Sequence, residues 1–284
     1  MGSKRKLAKK IVDTIILSNP QAKYFYDLFG GGGAISFEAI KRNQFKKVFY
    51  NEIDSGVVNL LKKIQTDGVT EEFFGWIDRE LFQKLKNGAD WKAGLIKTCW
   101  SFGNKGKDYL FGREIESIKK SAHEYLIRNG YLKTRNTETR IRLLKEFKKK
   151  ENIENRFTLE QLERLEQLER LEQLQRLEQL QRLEILNFSY ENVKIETPID
   201  ETVIYLDPPY FGTVKYQNDI EHAELYNWIQ NSPYKIYMSS YDAPFDVVER
   251  FEHRSILART NKSKKVIEKL FCNETGYSLF KEVI

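Results

Sequence analysis

The residues best equipped for chemistry are four in a row, Asp207-Pro208-Pro209-Tyr210, directly after the strand-prone run Val203-Ile204-Tyr205-Leu206. Two prolines fix the backbone and remove two N–H donors, which leaves the Asp207 carboxylate and the Pro208 carbonyl as acceptors at a rigid corner. Such a pair takes both hydrogens of an amino group, so that the nitrogen lone pair points outward at an electrophile and no covalent enzyme intermediate is needed. Tyr210 beside it offers a ring face to a flat heterocycle. A base inside a duplex could not reach this corner, so the substrate must be single-stranded or flipped. On four residues alone, a plain strand-to-loop turn remains open.

A second constellation is Asp27-Leu28-Phe29-Gly30-Gly31-Gly32-Gly33, followed about twenty residues on by Asn51-Glu52. Glycines after a first strand let the backbone approach a ligand closely, and an acid at the end of the second strand can accept from ribose hydroxyls. The spacing departs from G-x-G-x-x-G and carries no P-loop lysine, which points to an uncharged adenosine moiety rather than a phosphate. A tight turn between strand and helix is the alternative.

The elements around these residues alternate. A charged helix over Lys4–Leu17 closes at Ser18-Asn19-Pro20, a strand over Lys23–Phe29 runs into the glycines, a helix over Ala34–Arg42 follows, and Lys47–Tyr50 forms the next strand. This βαβ unit implies a parallel sheet. Strand candidates recur at Glu184–Phe188, Val203–Leu206 and Tyr234–Ser240, the last after a helix near Ile220–Gln230, and Ser278–Val283 could close the sheet. Between the two halves, Val57 to Tyr131 reads as mostly helical, broken by a basic loop from Ser101 to Asp108 between Trp100 and Tyr109. Residues 131–158 then carry Lys133, Arg135, Arg140, Arg142, Lys145, Lys148, Lys149 and Lys150, a solvated helix face or a face for phosphates.

From Leu159 to Leu186 leucine recurs at every third position in a tandem L-E-Q-L-(E/Q)-R hexad. On an α-helix a three-residue step turns each leucine ~60° back from the last, so the full set circles the axis and makes no coiled-coil seam. Glu160/Arg164, Glu166/Arg170, Glu172/Arg176 and Glu178/Arg182 nevertheless stand at the favourable i,i+4 spacing. Helix and short solenoid are both open, with the tract expected first as a spacer or surface unit and second as a recognition surface.

Composition narrows the class. With 284 residues, 40% of them hydrophobic, the chain can build a real core. Two cysteines, Cys99 and Cys272, cannot supply a four-thiolate metal site, and His123, His222 and His253 are scattered, so no metal is expected. No stretch approaches the ~18 apolar residues of a membrane span, and the basic start lacks the apolar core of an export signal, which leads us to expect a cytoplasmic protein with no membrane partner. Lysine plus arginine exceed aspartate plus glutamate by 47 to 41, beside 18 Phe, 15 Tyr and 4 Trp, a balance that permits nucleic acid as partner.

Taken together, these residues resemble the amino-methylating DNA methyltransferases, most closely the Dam-type, alpha-group adenine-N6 enzymes. Asp207 to Tyr210 is similar to the family's D-P-P-Y catalytic motif, and Phe29-Gly31-Gly33 to its F-x-G-x-G cofactor motif. Gly2-Ser3-Lys4 resembles the N-terminal segment beside the methionine end of S-adenosylmethionine, and Glu52 falls where the ribose-binding acid lies. The loop around Asn104, Lys105, Lys107 and Tyr109 resembles a segment that approaches DNA. Tyr237–Tyr241 is similar to a strand lining the target pocket, and Val266–Phe271 to the C-terminal element.

The resemblance implies a Rossmann-like α/β methyltransferase sheet over residues 1–60 and 184–284, a helical target-recognition region over 61–158 and the hexad tract over 159–186. It also implies methyl transfer from S-adenosylmethionine to N6 of a flipped adenine in double-stranded DNA. Asp207, Pro208, Pro209 and Tyr210 would act on the base, and Gly2, Ser3, Lys4, Asp27, Phe29, Gly31, Gly33, Glu52 and Asp207 would hold the cofactor. A cognate restriction endonuclease would fit such an enzyme. N4-cytosine or RNA-base methylation, or a non-catalytic binding module, are the alternatives; aspartate at 207 favours adenine. Ring-carbon methylation would need a cysteine after proline, and neither Cys99 nor Cys272 has one.

Overall fold

The structure, a computed structural model, describes residues 3–102, 106–151, 165–175, 181–209, 221–256 and 263–273. It divides into two compact units, Met1–Ile53 with Arg182–Ile284, and Asp54–Gln181.

The first unit is built on strands β1 (Tyr24–Asp27), β2 (Lys47–Asn51), β3 (Leu183–Leu186), β4 (Thr202–Leu206), β5 (Lys235–Ser240), β6 (Asp246–Ile256) and β7 (Ser263–Cys272). They form one sheet in the order β3-β2-β1-β4-β5-β7-β6. From β3 to β5 all pairs are parallel, and β7 runs antiparallel to both β5 and β6. Every residue of β4 is buried, as a central parallel strand covered on both faces requires. Helices α1 (Ala8–Ser18) and α2 (Ala34–Lys41), with a third over His222–Asn231, supply the connections.

Because β1 and β4 are neighbours while β2 and β5 lie on opposite sides of them, the strand order reverses between β1 and β4. In open α/β sheets the crevice at the carboxyl ends beside such a reversal is where ligands bind. Asp27 stands level with Tyr205 there, two residues short of Asp207.

Two expectations change. The helix expected over Lys4–Leu17 is a 3-10 turn, Ser3–Lys6, followed by α1, so Lys4 is not on the α-helix. The far edge of the sheet is the β6–β7 ladder, whose charged residues between apolar ones hide it from a hydropathy reading; Ser278–Val283 lies outside the described residues.

The second unit is helical among its described residues: α3 (Ser55–Asp67), α4 (Arg79–Leu85), α5 (Trp91–Cys99), α6 (Arg113–Arg128), α7 (Tyr131–Thr134), α8 (Thr137–Lys150) and α9 (Glu166–Gln175). Side chains of Asp54, Asp78, Asp90 and Asn136 accept from the first free N–H groups of α3, α4, α5 and α8. α3 and α5 pack at backbone contact, since a Cβ on Gly94 would stand 1.9 Å from the Gly56 carbonyl oxygen. Rings of Trp76, Trp100, Phe111 and His123 pack together in the interior. Among the described residues no helix is long and apolar enough to cross a membrane.

The described parts of the hexad tract are the helix α9 and, at its end, strand β3, not a solenoid, and α9 is no surface spacer. Leu165, Leu168 and Leu171 are fully buried. Leucines that circle the axis over the whole tract turn through only ~120° across these three, narrow enough for one buried face. Arg170 Nη1 donates to the carbonyl oxygens of Thr98, Cys99 and Ser101 at 3.3, 3.2 and 2.9 Å, closing the C-terminal end of α5. Arg140 pairs with Glu169 at 2.7 Å. The tract is shared between the units, for Arg182 to Leu186 belong to the sheet unit. Leu168→Ala is expected to cost about 2–5 kcal/mol in urea unfolding; a tract lying on the surface would lose almost nothing.

Candidate active site

Three strand ends build one side of the crevice. Asp27 closes β1 and is only 1% exposed, with Ser36 of α2 donating to its Oδ2 at 2.7 Å. Its Oδ1 is buried and has no hydrogen-bond partner among the described residues. Burial pushes the Asp27 pKa up to about 7, the Ser36 hydroxyl pulls it back, and the negative charges of Asp207 and Glu52 raise it further.

The glycine run lies across this end. Gly31 and Gly33 have φ of 48° and 74°, the left-handed region that favours glycine. A Cβ at Gly30 would meet the Tyr50 ring at 2.2 Å, and the Tyr50 hydroxyl donates to the Gly31 carbonyl oxygen at 2.6 Å. Glu52, just past β2, accepts from the Gly31 N–H at 2.8 Å. The loop and the acid are therefore one assembly. Phe29 is half-buried, its ring tilted against Tyr190.

Asn51 ties the ends of β1 and β3 together. Its Nδ2 donates to the carbonyl oxygens of Leu28 and Phe188 at 3.1 and 2.9 Å, and its Oδ1 accepts from the Phe188 N–H at 3.0 Å. With its backbone held on both sides, Phe188 is still 51% exposed beside Glu52, a fixed aromatic ring on the crevice rim. The sequence reading missed it; an aromatic two residues beyond a strand was the available signal.

On the other side, Asp207 follows β4 directly and its side chain is 25% exposed. Lys4 Nζ lies 3.1 Å from Asp207 Oδ1 and also pairs with Glu268 of β7. Burial raises the Asp207 pKa, with Lys4 opposing the rise. Burial lowers that of Lys4, with Asp207 opposing the fall. Pro208 is buried and Pro209 half-buried. Below the corner, Tyr205 Oη donates to Ser239 Oγ at 2.7 Å, fixing β4 to β5.

The structure thus brings Lys4, Asp27, Phe29, Gly31, Gly33, Glu52, Asp207, Pro208 and Pro209 to one edge of one sheet. Gly2, Tyr210, Asn104 and Lys105 lie outside the described residues, as does the Ser3 side chain.

In the second unit, Lys107 is exposed, on a loop closed by a bridge between Ser101 and Tyr109. Tyr109 itself is not a contact residue. It is buried, its hydroxyl donates to the Ile77 carbonyl oxygen at 2.7 Å, and Arg79 lies over its ring. Phe102, 59% exposed at the start of the loop, is presented instead. Of the basic run, Arg140 is buried against Glu169 and Arg135 donates to the Val69 carbonyl oxygen, which leaves Lys133, Arg142, Lys145, Lys149 and Lys150 exposed. Cys99 and Cys272 are buried, and burial pushes the Cys99 thiol up to about 12.

A family profile described as D12 class N6 adenine-specific DNA methyltransferase matches residues 1–271. The chain belongs to this family. Its substrate class is therefore adenine in DNA, and its reaction methyl transfer to N6. Among solved structures it is similar to the rRNA methyltransferase AviRa of Streptomyces viridochromogenes, at 11% identity over 95% of this chain and 84% of that one, with a TM-score of 0.35. It is also similar to the Haemophilus influenzae protein HI0767, at 14% identity over 93% of this chain and 87% of the other, with a TM-score of 0.30. These likenesses are distant, and membership of the family does not rest on them. No curated protein matches the chain in sequence.

The Asp27 carboxyl gives the D12 methyltransferase a pH signature. A carboxyl whose folded pKa lies above its unfolded value near 3.9 stabilises the fold fully below that lower value and loses the contribution as pH rises through the folded one. For Asp27 the window runs from about 4 to about 7. Asp27→Asn is expected to gain stability relative to wild type between pH 5 and pH 8, by on the order of a few kcal/mol, in urea melts of the cofactor-free protein. Parallel curves would contradict a carboxyl buried in its neutral form.

Proposed function

We propose that the crevice between β1 and β4 binds S-adenosylmethionine and that Asp207 and the Pro208 carbonyl receive the N6 amine of an adenine turned out of duplex DNA. The observation that carries this reading is Asp27 and Asp207, two carboxyls with raised pKa at adjacent strand ends, one with an unsatisfied buried oxygen and one held by a lysine. Perturbed carboxyls gathered in one crevice mark a functional site.

The residues present fit the cofactor. Glu52 is placed for ribose hydroxyls, the Phe188 ring for the flat face of an adenine, and the left-handed Gly31 for close backbone approach. Asp27 Oδ1, buried and without a partner among the described residues, calls for a positively charged or donor group, which the methionine end carries. When bound, the cofactor supplies an electrophilic methyl carbon whose bonding pair departs with sulfur.

The chain's own residues then do the rest. Asp207 and Pro208 accept the two amine hydrogens and so aim the N6 lone pair. Tyr210, next in sequence, would stack on the displaced base. No base with a neutral pKa is required, because the proton leaves N6 after the methyl has arrived. Lys107 and the exposed lysines of α8 would contact phosphates, and Phe102 would meet the bases beside them.

Tritiated methyl transfer to unmethylated genomic DNA, with sequencing to place the mark, tests the reading. Label is expected at N6 of adenine and is expected to fall by at least ~100-fold in Asp207→Ala. Glu52→Ala is expected to weaken cofactor binding about tenfold or more, while leaving the single-turnover rate at saturating cofactor within a few-fold. Cofactor binding without transfer to any DNA would sink the assignment of residues 207–210.

A further inference from the structure

The corner at Asp207 is one end of a buried ion cluster whose other end has no role in the scheme above. Lys4 Nζ bridges two carboxylates, 3.1 Å from Asp207 Oδ1 and paired with Glu268. The side chains of Lys4 and Glu268 are 6% and 1% exposed, so neither charge is answered by bulk water. Strand register explains the meeting. Ser239 and Ser240 of β5 stand opposite Leu270 and Lys269 of β7, which brings Glu268 to the carboxyl edge of the sheet where β4 delivers Asp207.

We propose that Glu268 is a positioning residue for methyl transfer, holding Lys4 against Asp207 and leaving the three-group cluster with one net negative charge. The proposal rests on the role given to Asp207 in the preceding subsection. A buried lysine beside one carboxylate would cancel the charge that the reaction uses. As the N6 lone pair bonds to the methyl carbon, the C–S pair goes to sulfur and the positive charge passes to N6, where it stays until a proton leaves to water. A cluster with one net negative charge stabilises that developing cation, whereas a neutral Lys4–Asp207 pair does not. Glu268 also holds the ammonium in place: with Oδ1 on Lys4, Oδ2 is the oxygen that remains for the amine.

The test compares Glu268→Gln, Glu268→Asp, Lys4→Met and the double variant Lys4→Met/Glu268→Gln with wild type, each confirmed as folded by circular dichroism. Single-turnover methylation of unmethylated genomic DNA is read beside S-adenosylmethionine affinity by calorimetry. Glu268→Gln is expected to slow transfer about tenfold or more while cofactor affinity stays within about threefold. Glu268→Asp, which keeps the charge, is expected to recover part of the rate. The double variant is expected to be no slower than the slower single, because both act through one linked unit. A readout without turnover is acylation of the Lys4 amine followed by mass spectrometry: protected in wild type, reactive in Glu268→Gln.

Folded Glu268→Gln with the wild-type rate would overturn the proposal, as would rate losses that multiply in the double variant. Should Glu268→Gln not fold, Glu268→Asp decides: an unchanged rate with unchanged Lys4 protection overturns it. A wild-type protein that methylates no DNA overturns the preceding reading and this one together, whereas an active wild type beside an equally active Glu268→Gln overturns this one alone.

Discussion

Carboxyls at the carboxyl ends of β1 and β4, Asp27 buried and Asp207 largely covered, set the terms for everything around them. A buried charge must be paired, hydrogen-bonded or neutralised by a proton, because the cost of leaving it bare exceeds the margin of stability of a whole domain. Asp27 is answered by Ser36 and by its own raised pKa. Asp207 is answered by Lys4, and Lys4 in turn by Glu268. These pairings dictate local structure. α2 must begin directly after Gly33 so that Ser36 reaches Asp27. The N-terminal segment must turn before α1 so that Lys4 reaches β4. The antiparallel strand β7 must lie beside β5 so that Glu268 arrives from the other side. In the proposed reading, the lone-pair geometry required by an amine nucleophile and the pairing required by buried charge would be met by the same atoms.

The site was legible in the sequence wherever one residue type has few other uses. Two prolines after an aspartate, four glycines in a row after a strand, and an acid at the next strand end each restrict the backbone or the charge enough to single the positions out, although each motif alone left a plain turn open. Their approach to one edge of a parallel sheet follows from the βαβ pattern. Lys4 was legible only through family resemblance, as a cofactor neighbour, whereas the structure seats it between two carboxylates. Glu268 was invisible, since a glutamate in a strand rich in lysine reads as a solvated charge until its register with β5 is known. Phe188 was hidden for the opposite reason: its ring is fixed through backbone bonds to the Asn51 side chain, and the adjacency of β3 to β2 that allows them belongs to topology and not to any local pattern.

The second unit shows where sequence pattern misleads. Tyr109 and Arg140 looked like nucleic-acid contacts because aromatic and basic residues in a polar loop and a charged helix commonly are. Both are buried, one donating to the Ile77 carbonyl oxygen and the other paired with Glu169. The hexad tract misled in the same direction. Near-identical repeats with polar residues at two of every three positions suggest a solvated appendage, yet three successive leucines are enough to seat α9 in the core, and Arg170 closes the end of α5. Periodicity over a whole tract says little about a ten-residue helix cut from it.

The central claim is that the corner at Asp207 and Pro208 holds an extruded amine. A crystal structure of the chain with unmethylated duplex DNA and a non-reactive analogue of S-adenosylmethionine tests it most directly. The account predicts an adenine out of the stack, its N6 within hydrogen-bond distance of the Asp207 carboxylate and the Pro208 carbonyl oxygen, with Lys4 still between Asp207 and Glu268. An adenine left paired in the duplex, or an amine bound to other acceptors while Asp207 stays closed on Lys4 alone, would contradict it.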